Sequence, residues 1–367
     1  MLTYAIAILI ASFAVSAVMT VLSRRFAIRM DLVARPKADR YHQRIVALGG
    51  GIGIFATLAL AMLSAMGLAL AISRMDTLAP LADRAGLDPQ DFLARCHEWG
   101  FLLLSMLILF AMGLWDDFKG LGPGIKLVIQ FGVALMAAYF ADVRVEFFIH
   151  HRLATSLMSA VWIVLLINVF NFLDNMDGAT TGIAAIVSSI LLVSAVQSGQ
   201  ILISGLALVF IGTLLGFLLF NFPPATIFMG DAGSLVIGFL VAVLSLRTTY
   251  YQQSQTGPWY PVLVPLLALA VPLYDFISVM SLRLSQGKSP FVGDTQHFSH
   301  RLKRHGLTDR QTALTLYLAT LCTGLGATFL TQVDVIGAIL IWMQTVMILC
   351  LVAIFESKSP GLPGGSA

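Results

Sequence analysis

The segment NVFNFLDNMDG carries four polar side chains that could do chemistry at the end of an apolar run. Asn168, Asn171, Asp174 and Asp177 recur every third residue, so on a helix of about 3.6 residues per turn they would sweep one half of the helix surface. Burying such groups at the end of a membrane segment is costly unless they face water or a charged partner. We therefore interpret this segment as part of a functional site. The alternative is a pair of solvated aspartates in the loop after a helix.

Three further clusters combine carboxylates, an amide and basic side chains. They are Asp116 and Asp117 in WDDFKGLGPGIK, Asn221 and Asp231 in NFPPATIFMGDAGS, and His297, His300 and Arg301 in GDTQHFSHRLKRHG. Adjacent carboxylates cannot both point the same way from a helix, so one can serve a reaction while the other holds a cation or a basic group. Gly230 and Gly233 would let the backbone near Asp231 approach a ligand, although this aspartate could equally be a simple helix N-cap.

These residue types together predict a particular chemistry. Carboxylates and carboxamides are typical ligands of a hard cation, and Mg²⁺ in particular binds through one or two carboxylates plus substrate phosphates. The histidine cluster could hold a diphosphate, the alternative being an ordinary cytoplasmic loop rich in positive charge. The combination indicates phosphoryl transfer at a membrane surface, catalysed by positioning and charge neutralisation.

The composition predicts a polytopic membrane protein. Of the 367 residues, 58% are hydrophobic and 11% are charged, which is too little charge to cover a soluble globule of this size. The three cysteines show no motif spacing, which argues against a disulfide framework or a thiolate metal site. Residues 2–22 are uncharged and are followed by Arg24 and Arg25. This order predicts a retained span with its N-terminus outside, not a cleaved signal peptide.

Eleven apolar segments can cross the roughly 30 Å hydrocarbon layer, alone or with the help of neighbours. They lie at 2–22, 46–72, 99–115, 125–141, 155–171, 181–197, 200–220, 232–248, 259–282, 311–330 and 335–355. The predicted fold is therefore all-α, with about eleven transmembrane helices, the N-terminus outside and the C-terminus cytoplasmic. Four glycines within 49–53 should allow close helix packing. Residues 1–357 are predicted to form one integral-membrane catalytic domain, and 358–367 a flexible cytoplasmic tail.

The distribution of basic residues supports this topology. With the N-terminus outside, sixteen of the 22 lysines and arginines fall in loops on the cytoplasmic face and six on the other face, as the positive-inside rule expects. The same map puts all four clusters on the cytoplasmic face, although they extend from position 116 to position 301. Unrelated loop charges would do so only by chance, so we expect one shared site.

The motifs resemble those of the polyprenyl-phosphate N-acetylhexosamine-1-phosphate transferases, glycosyltransferase family 4, which include the muramyl-pentapeptide transferase. The resemblance covers nearly the whole chain. It is carried by Asp116-Asp117, by Lys126 in KLVIQ, by NVFNFLDNMDG, by Asn221 with FMGDAGS, and by PFVGDTQHFSHRL. It implies that a polyprenyl phosphate attacks the sugar-bound phosphate of a UDP-N-acetylhexosamine, in the first instance UDP-GlcNAc. The products would be a polyprenyl-diphosphate sugar and UMP.

The resemblance also implies residue roles. The catalytic set would be Asp116, Asp117, Asp231 and His297, with the two adjacent aspartates at the lipid phosphate. The substrate-binding set would be Lys126, Asn168, Asn171, Asp174, Asp177, Asn221, His300 and Arg301, around the nucleotide and its diphosphate. Asp231 and Asn171 would hold Mg²⁺, with Mn²⁺ as the alternative ion.

Two departures from the family pattern stand out. Where many members read Asp-Gly-x-Asp-Gly, this chain has Asn175 in the second place, and where many read His-x-His-His, it has Ser299 in the third. Since Ser299 cannot act as a middle histidine, His297 or Arg301 would have to make that contact. The absence of a three-histidine run argues against the muramyl-pentapeptide branch and for the UDP-GlcNAc branch or a related one.

Two rival classes predict different features. An ion-coupled transporter would place its carboxylates near the bilayer midplane, and among the candidates only Asp275 lies well inside a predicted span. A CDP-alcohol phosphotransferase would need an Asp-Gly-x-x-Ala-Arg motif, which this sequence lacks. The predicted partners are a UDP-N-acetylhexosamine, undecaprenyl or decaprenyl phosphate, and the lipid of a bacterial inner membrane. Nucleic acid is not a predicted partner, and a homodimer is left open.

Overall fold

The computed structural model describes residues 2–34, 45–75, 89–145, 151–248, 250, 258–287 and 297–357. Its helices are α1 (Leu2–Arg29), α2 (Gly50–Arg74), α3 (Pro89–Ala94), α4 (Cys96–Lys119), α5 (Pro123–Phe140), α6 (Arg152–Leu173), α7 (Ala179–Gln197), α8 (Ile201–Asn221), α9 (Gly230–Arg247), α10 (Val264–Ala268), α11 (Ala270–Ser285), α12 (Phe298–Arg304), α13 (Asp309–Phe329) and α14 (Val335–Ser357). A 3₁₀ turn, Tyr260–Leu263, precedes α10. The predicted tail at 358–367 lies outside the described residues.

Ten helices in the described part of the chain are long and apolar enough to cross a membrane. An eleventh span would be the bent pair Tyr260–Ala268 and Ala270–Ser285, whose two halves meet at 65°. The prediction of an all-α polytopic membrane protein is therefore confirmed. The orientation of the termini stays a prediction.

The predicted span at 259–282 is not one continuous helix. Pro272, the third residue of α11, has no N–H, and its ring would clash with the carbonyl four residues earlier in an unbroken helix. That carbonyl belongs to Ala268, where α10 ends, and a new helix begins at Ala270. In the first turn of the new helix the missing N–H costs nothing, because no intrahelical acceptor exists there.

Helix α9 is the centre of the bundle. It packs against α2, α4, α6 and α7, and it is the most deeply buried of the ten candidate spans. By contrast, α1 and α14 bury the smallest shares of their apolar windows, 17% and 11%, so most of their apolar surface is left to face lipid. Since α9 begins at Gly230 and Asp231 follows directly, this aspartate lies at the N-terminus of the most buried candidate span.

Glycines bring three helix backbones into contact at that end. A Cβ atom added to Gly113 of α4 would lie 2.5 Å from the backbone nitrogen of Ala232, and one added to Gly51 of α2 would lie 2.4 Å from that of Gly233. Gly51 also donates its N–H to the carbonyl of Met229 at 2.9 Å. The close packing expected of the glycines within 49–53 is confirmed, and the packing leaves no room for the start of α9 to shift.

A small three-stranded sheet lies beside this contact. Strand β2 (Val46–Leu48) pairs antiparallel with β1 (Val33–Ala34) and parallel with β3 (Ile227–Phe228). Strands of two or three residues are too short to show an alternating pattern, so they are not predicted from the sequence. The sheet ties the segment after α1 to the segment that leads into α9.

The glycine contacts make a prediction about stability. Gly113→Ala should lower the melting temperature of the detergent-purified protein, because overpacking against a backbone costs about 1–3 kcal/mol. Gly132→Ala is the matched control, since position 132 is exposed on α5 and its added Cβ would meet no atom within 4 Å. Alanine is the better helix former, so the control should melt at the same or a slightly higher temperature. Equal melting of both variants would contradict the proposed packing.

Candidate active site

Asp117, near the end of α4, caps the N-terminus of α9. Its Oδ1 accepts the N–H of Asp231 at 2.8 Å and its Oδ2 accepts that of Ala232 at 3.2 Å. A helix N-terminus leaves such amides without intrahelical acceptors, and it favours a negative charge. Asp117 thus holds the backbone of Asp231 in place. Its contact with the lipid phosphate stays a prediction.

Lys126 connects the carboxylates of Asp116 and Asp231. Its Nζ contacts Asp116 Oδ2 and lies 3.0 Å from Asp231 Oδ2, while the second oxygen of Asp116 accepts the N–H of Leu121. Gly120, with φ +71°, ends α4, so the chain turns back and the first turn of α5 brings Lys126 beside Asp116. All three charged side chains are only partly buried, so the ion pairs keep access to water and to ligands.

Asn171 of α6 also contacts Asp231. Its Nδ2 donates to Asp231 Oδ1 at 3.0 Å and to Ser234 Oγ at 2.9 Å. The two oxygens of Asp231 are therefore divided between Asn171 and Lys126. Ser234 is not among the residues predicted from the sequence, although it lies three residues after Asp231, on the same face of α9.

The helix carrying the two asparagines ends before the two aspartates. Leu173 is the last residue of α6, and Asp174 follows as its C-cap with φ −77° and ψ 48°. Asp177 lies in the next turn, which closes at Gly178 in the left-handed conformation, φ +72°. The prediction that all four polar residues share one helix surface is wrong, because this turn redirects the chain after Leu173.

Acidic side chains crowd around Asp174. Burial and then the negative charges of Asp231, Asp117 and Asp177 raise the pKa of Asp174 well above its ordinary value. Among the described residues, none donates a hydrogen bond to its carboxylate. The mutual influence of these four aspartates means that they form one cluster, which a bound cation would stabilise.

Asn221, at the end of α8, hydrogen-bonds to the turn at residues 174–178, which we call the acidic turn. Its Oδ1 accepts the N–H of Gly178 at 3.2 Å and the hydroxyl hydrogen of Thr181 at 3.0 Å, and its Nδ2 donates to the carbonyl of Ile227 at 3.0 Å. The side chain is buried, with 3% exposed. This geometry supports a positioning role, and a direct contact between Asn221 and the substrate stays a prediction.

Two more contacts hold the same turn. Asp177 Oδ2 accepts the N–H of Ala225 at 2.8 Å, and the hydroxyl of Tyr317 on α13 donates to the carbonyl of Gly178 at 2.6 Å. A Cβ at Gly182 would lie 2.1 Å from the ring of Tyr317, so this glycine makes room for the tyrosine. Tyr317 is not among the predicted site residues, because it lies in no motif.

Asn168 lies one turn before Asn171 on α6. Its Nδ2 donates to Gln130 Oε1 at 2.8 Å and to the carbonyl of Val164 at 2.8 Å. Gln130 on α5 is buried, so this amide pair holds the helix of Lys126 against the helix of Asn171. The predicted substrate contact of Asn168 is not visible in this arrangement and stays a prediction.

His297 forms a buried pair with Asp275. Its Nδ1 lies 3.0 Å from Asp275 Oδ2, and Asp275 Oδ1 accepts the N–H of Phe298 at 2.7 Å. Both side chains of the pair are about 4% exposed. Asp275, considered above as a transporter carboxylate, thus orients a histidine of the predicted site. The position of Asp275 inside a span indicated a functional carboxylate, but only the fold shows that its partner is His297.

The remaining basic residues lie on α12, directly after His297. Burial, then the positive charges of His297 and neighbouring basic residues, lower the pKa of His300 to about 4. His300 is therefore neutral at pH 7 and acts as a hydrogen-bonding group without charge. Arg301 donates from Nη2 to Ser278 Oγ at 2.7 Å, which directs the guanidinium along α11.

Residues 297–304, the histidine segment, also contact the acidic turn. Ser299 Oγ donates to Asn175 Oδ1 at 2.6 Å, and the rings of Phe172 and His297 lie 6.3 Å apart. The structure thus brings together residues of all four clusters that the sequence analysis identified.

The fit to a divalent ion rests on the type of donor groups. Within the described ranges, no three His, Cys, Asp or Glu side chains converge in a preformed metal site. Mg²⁺ needs only one or two protein carboxylates when substrate phosphates complete its shell. Asp231 supplies one such carboxylate, and Asn171 beside it could turn its amide oxygen toward an ion. The Mg²⁺ site at these two residues stays a prediction.

Comparison with known proteins shows what the chain is similar to. The model of glycosyl transferase family 4 matches residues 99–249. A probable undecaprenyl-phosphate N-acetylglucosaminyl 1-phosphate transferase of Bacillus subtilis (strain 168) is 28% identical, covering 92% of this chain and 87% of the relative. Undecaprenyl-phosphate alpha-N-acetylglucosaminyl 1-phosphate transferases of Yersinia pestis and Escherichia coli (strain K12) are 28% and 27% identical, covering 90% and 85% of this chain and 83% and 80% of the relatives. The chain therefore resembles glycosyl transferase family 4 over residues 99–249, and it is similar to undecaprenyl-phosphate N-acetylglucosaminyl 1-phosphate transferases over most of its length.

Proposed function

We propose that the protein transfers GlcNAc-1-phosphate from UDP-GlcNAc to a polyprenyl phosphate. An oxygen of the acceptor phosphate attacks the sugar-bound phosphorus, the bond to the other phosphate breaks, and UMP leaves. The observation that carries the proposal is the single cluster of Asp117, Asp174, Asp231 and Lys126 with the His297 segment beside it. The names of the relatives, which the chain covers over 80% or more of their length, supply the acceptor and the sugar.

The donor brings a diphosphate to a group of aspartates, so a divalent cation is required between them. We expect Mg²⁺, or Mn²⁺ as the alternative, to be held by Asp231 and by Asn171 once its amide turns its oxygen toward the ion. When bound, the ion neutralises the charge that moves onto the leaving UMP. Asp117 contributes by holding the helix end that carries Asp231.

The acceptor is proposed to reach the cluster at the end of α4. The resemblance assigns Lys126 to the nucleotide diphosphate, but we propose it for the acceptor instead. It is a half-buried cation beside Asp116, and it can hold the acceptor phosphate in position for attack. Trp115 and Phe118 flank this end of the helix with 58% and 52% of their surface exposed. Exposed aromatic residues of this kind are typical of the boundary between lipid and water, where a polyprenyl chain can remain in the bilayer.

The nucleotide is proposed to lie against α12. Asp275 orients His297, His300 is a neutral hydrogen-bonding group, and Arg301 provides the fixed positive charge that suits a diphosphate. His297, His300 and Arg301 adjoin the acidic turn through the contact between Ser299 and Asn175. The diphosphate would thus lie between the basic segment and the cation.

We further propose that the protein resides in the bacterial plasma membrane with its active site on the cytoplasmic side. The excess of lysine and arginine in the loops of that face supports this orientation, and nucleotide sugars are cytoplasmic substrates.

Asp231→Asn should reduce UMP release from UDP-GlcNAc and polyprenyl phosphate by about 100-fold or more, as loss of one electrostatic group at a reacting phosphate does. Binding of Mn²⁺, followed by electron paramagnetic resonance, should weaken in parallel. The control is Asp334→Asn, an exposed cap of α14 whose Oδ1 accepts the N–H of Gly337. Asparagine caps equally well, so the control should keep activity and ion binding. Full activity of Asp231→Asn would exclude it from the ion site.

The orientation can be tested by labelling single cysteines in a cysteine-free background. A cysteine at the exposed Arg304 should be protected from an impermeant maleimide in intact cells, whereas one at the exposed Gln332 should react. After the membrane is opened, both should react. Labelling of position 304 from outside would refute the cytoplasmic site.

Asp275→Asn should lower kcat/KM for UDP-GlcNAc by roughly 10-fold or more, because hydrogen-bond partners that orient a functional histidine typically contribute at least that much. Asparagine can still accept the N–H of Phe298, but it has no charge to face His297. The pH profile of kcat/KM should therefore change as well. Asp91→Asn, at an exposed position on α3, is the control. An unchanged rate and pH profile in Asp275→Asn would show that the pair has no role in the reaction.

A further inference from the structure

A hydrogen bond between Asn175 and Ser299 connects the acidic turn to the histidine segment. Ser299 Oγ donates to Asn175 Oδ1 at 2.6 Å, across 124 residues of sequence. Ser299 is 4% exposed, and Asn175 is half-buried. A buried hydroxyl without an acceptor is costly, so this contact constrains both segments.

The second group of the Asn175 amide determines which way it faces. Nδ2 donates to the carbonyl of Phe172 at 3.1 Å, which leaves Oδ1 toward the hydroxyl of Ser299. Reversing the amide would place Nδ2 against a hydroxyl and Oδ1 against a carbonyl oxygen, which cannot donate. The orientation with Ser299 as donor therefore satisfies every group.

The two residues are also the two places where this chain departs from the pattern of the family it resembles. A glycine at 175 would offer no side-chain acceptor, and a histidine at 299 would have a different shape and reach. The observed bond therefore needs both the amide of Asn175 and the hydroxyl of Ser299. The departures therefore form one unit in space, although they are far apart in sequence.

Each residue of the bond has predicted site residues close to it in sequence. Asn175 follows Asp174 and precedes Asp177 by two positions, while Ser299 lies two residues after His297 and directly before His300. Asp275 anchors His297 from α11 but does not reach the acidic turn in the described contacts. The bond between Asn175 and Ser299 thus joins the histidine segment directly to the acidic turn, beside the ring contact between Phe172 and His297.

We propose that Asn175 and Ser299 are a coupled pair of positioning residues that sets the width of the nucleotide-sugar site, an inference that rests on the proposed function. Neither residue takes part in the chemical step. Their bond holds the histidine segment at the separation from the acidic turn that one diphosphate spans. Its loss should therefore weaken donor binding more than it slows the chemical step.

A double-mutant cycle tests the coupling. Ser299→Ala and Asn175→Ala should each raise KM for UDP-GlcNAc about tenfold, with kcat changed less than about threefold and KM for the polyprenyl phosphate unchanged. The double variant should also show about a tenfold rise, because the second substitution removes nothing further. A rise near one hundredfold in the double variant would mean independent effects and would overturn the proposal.

Two variants separate positioning from general damage. Ser299→Thr keeps the hydroxyl and should retain a near-normal KM for the donor. Ser285→Ala makes the same chemical change as Ser299→Ala at an exposed position on α11 and should leave all constants unchanged. Failure of Ser299→Thr to restore donor binding while the protein remains folded would count against the hydroxyl as the cause.

Hydrogen–deuterium exchange of the segment 298–304 gives a readout that needs no substrate. Exchange should accelerate to the same extent in Ser299→Ala, Asn175→Ala and the double variant. Equal exchange in all variants and the parent protein would overturn the proposed contact. If the parent protein releases no UMP from UDP-GlcNAc, the proposed function fails, while the exchange cycle still decides whether the two residues are coupled.

Discussion

The site depends on the hydrogen bonds from the first amides of α9 to the carboxylate of Asp117. Asp231 lies at the start of the most buried helix, so the position of its carboxylate is that of the helix end itself. Gly51 and Gly113 let two other helix backbones pack against this end. Asp117 then fills the place where the helix leaves its N–H groups open. The carboxylate of Asp231 is therefore positioned by backbone contacts. Movements of neighbouring side chains cannot easily displace it.

Gathering several carboxylates at the end of an apolar bundle has an electrostatic cost. Lys126 and Asn171 offset part of it by binding both oxygens of Asp231. Asp174 receives no such help from the described residues, and burial among like charges raises its pKa. A pocket of this kind is less stable without a cation than with one. That property suits the proposed reaction, in which the donor substrate carries two phosphates and the acceptor carries a third.

The basic side of the site is organised differently from the acidic side. The acidic residues sit at helix ends and in a turn where side chains bond to backbone groups, as Asn221 does to Gly178 and Asp177 to Ala225. The basic residues lie on a short helix that follows residues outside the described range, and side chains hold it: Asp275 from α11 and Asn175 from the acidic turn. An acidic residue inside a membrane span, which would be a coupling site in a transporter, here orients a histidine.

The sequence determined much of the chemistry, because residue type and short spacing carry it directly. Asp116-Asp117, Asp231 between glycines, and His297 with His300 could be identified without a fold, and hydropathy identified the spans. The bend after Ala268 was less visible, since a proline in a hydrophobic run can either start a helix or kink one. The three strands were invisible, because two or three residues show no period.

What only the tertiary structure decided was the direction of each side chain. Asn221 has the residue type of a substrate ligand, yet its polar atoms form three internal hydrogen bonds, because the turn at Gly178 packs against it. Asp177 left the predicted helix face because α6 ends at Leu173. Asn175 and Ser299 met across 124 residues, a contact that no local spacing encodes. Sequence spacing specifies which groups are available at one helix end or turn, whereas the partner of a buried polar group depends on segments brought together by packing of the whole bundle.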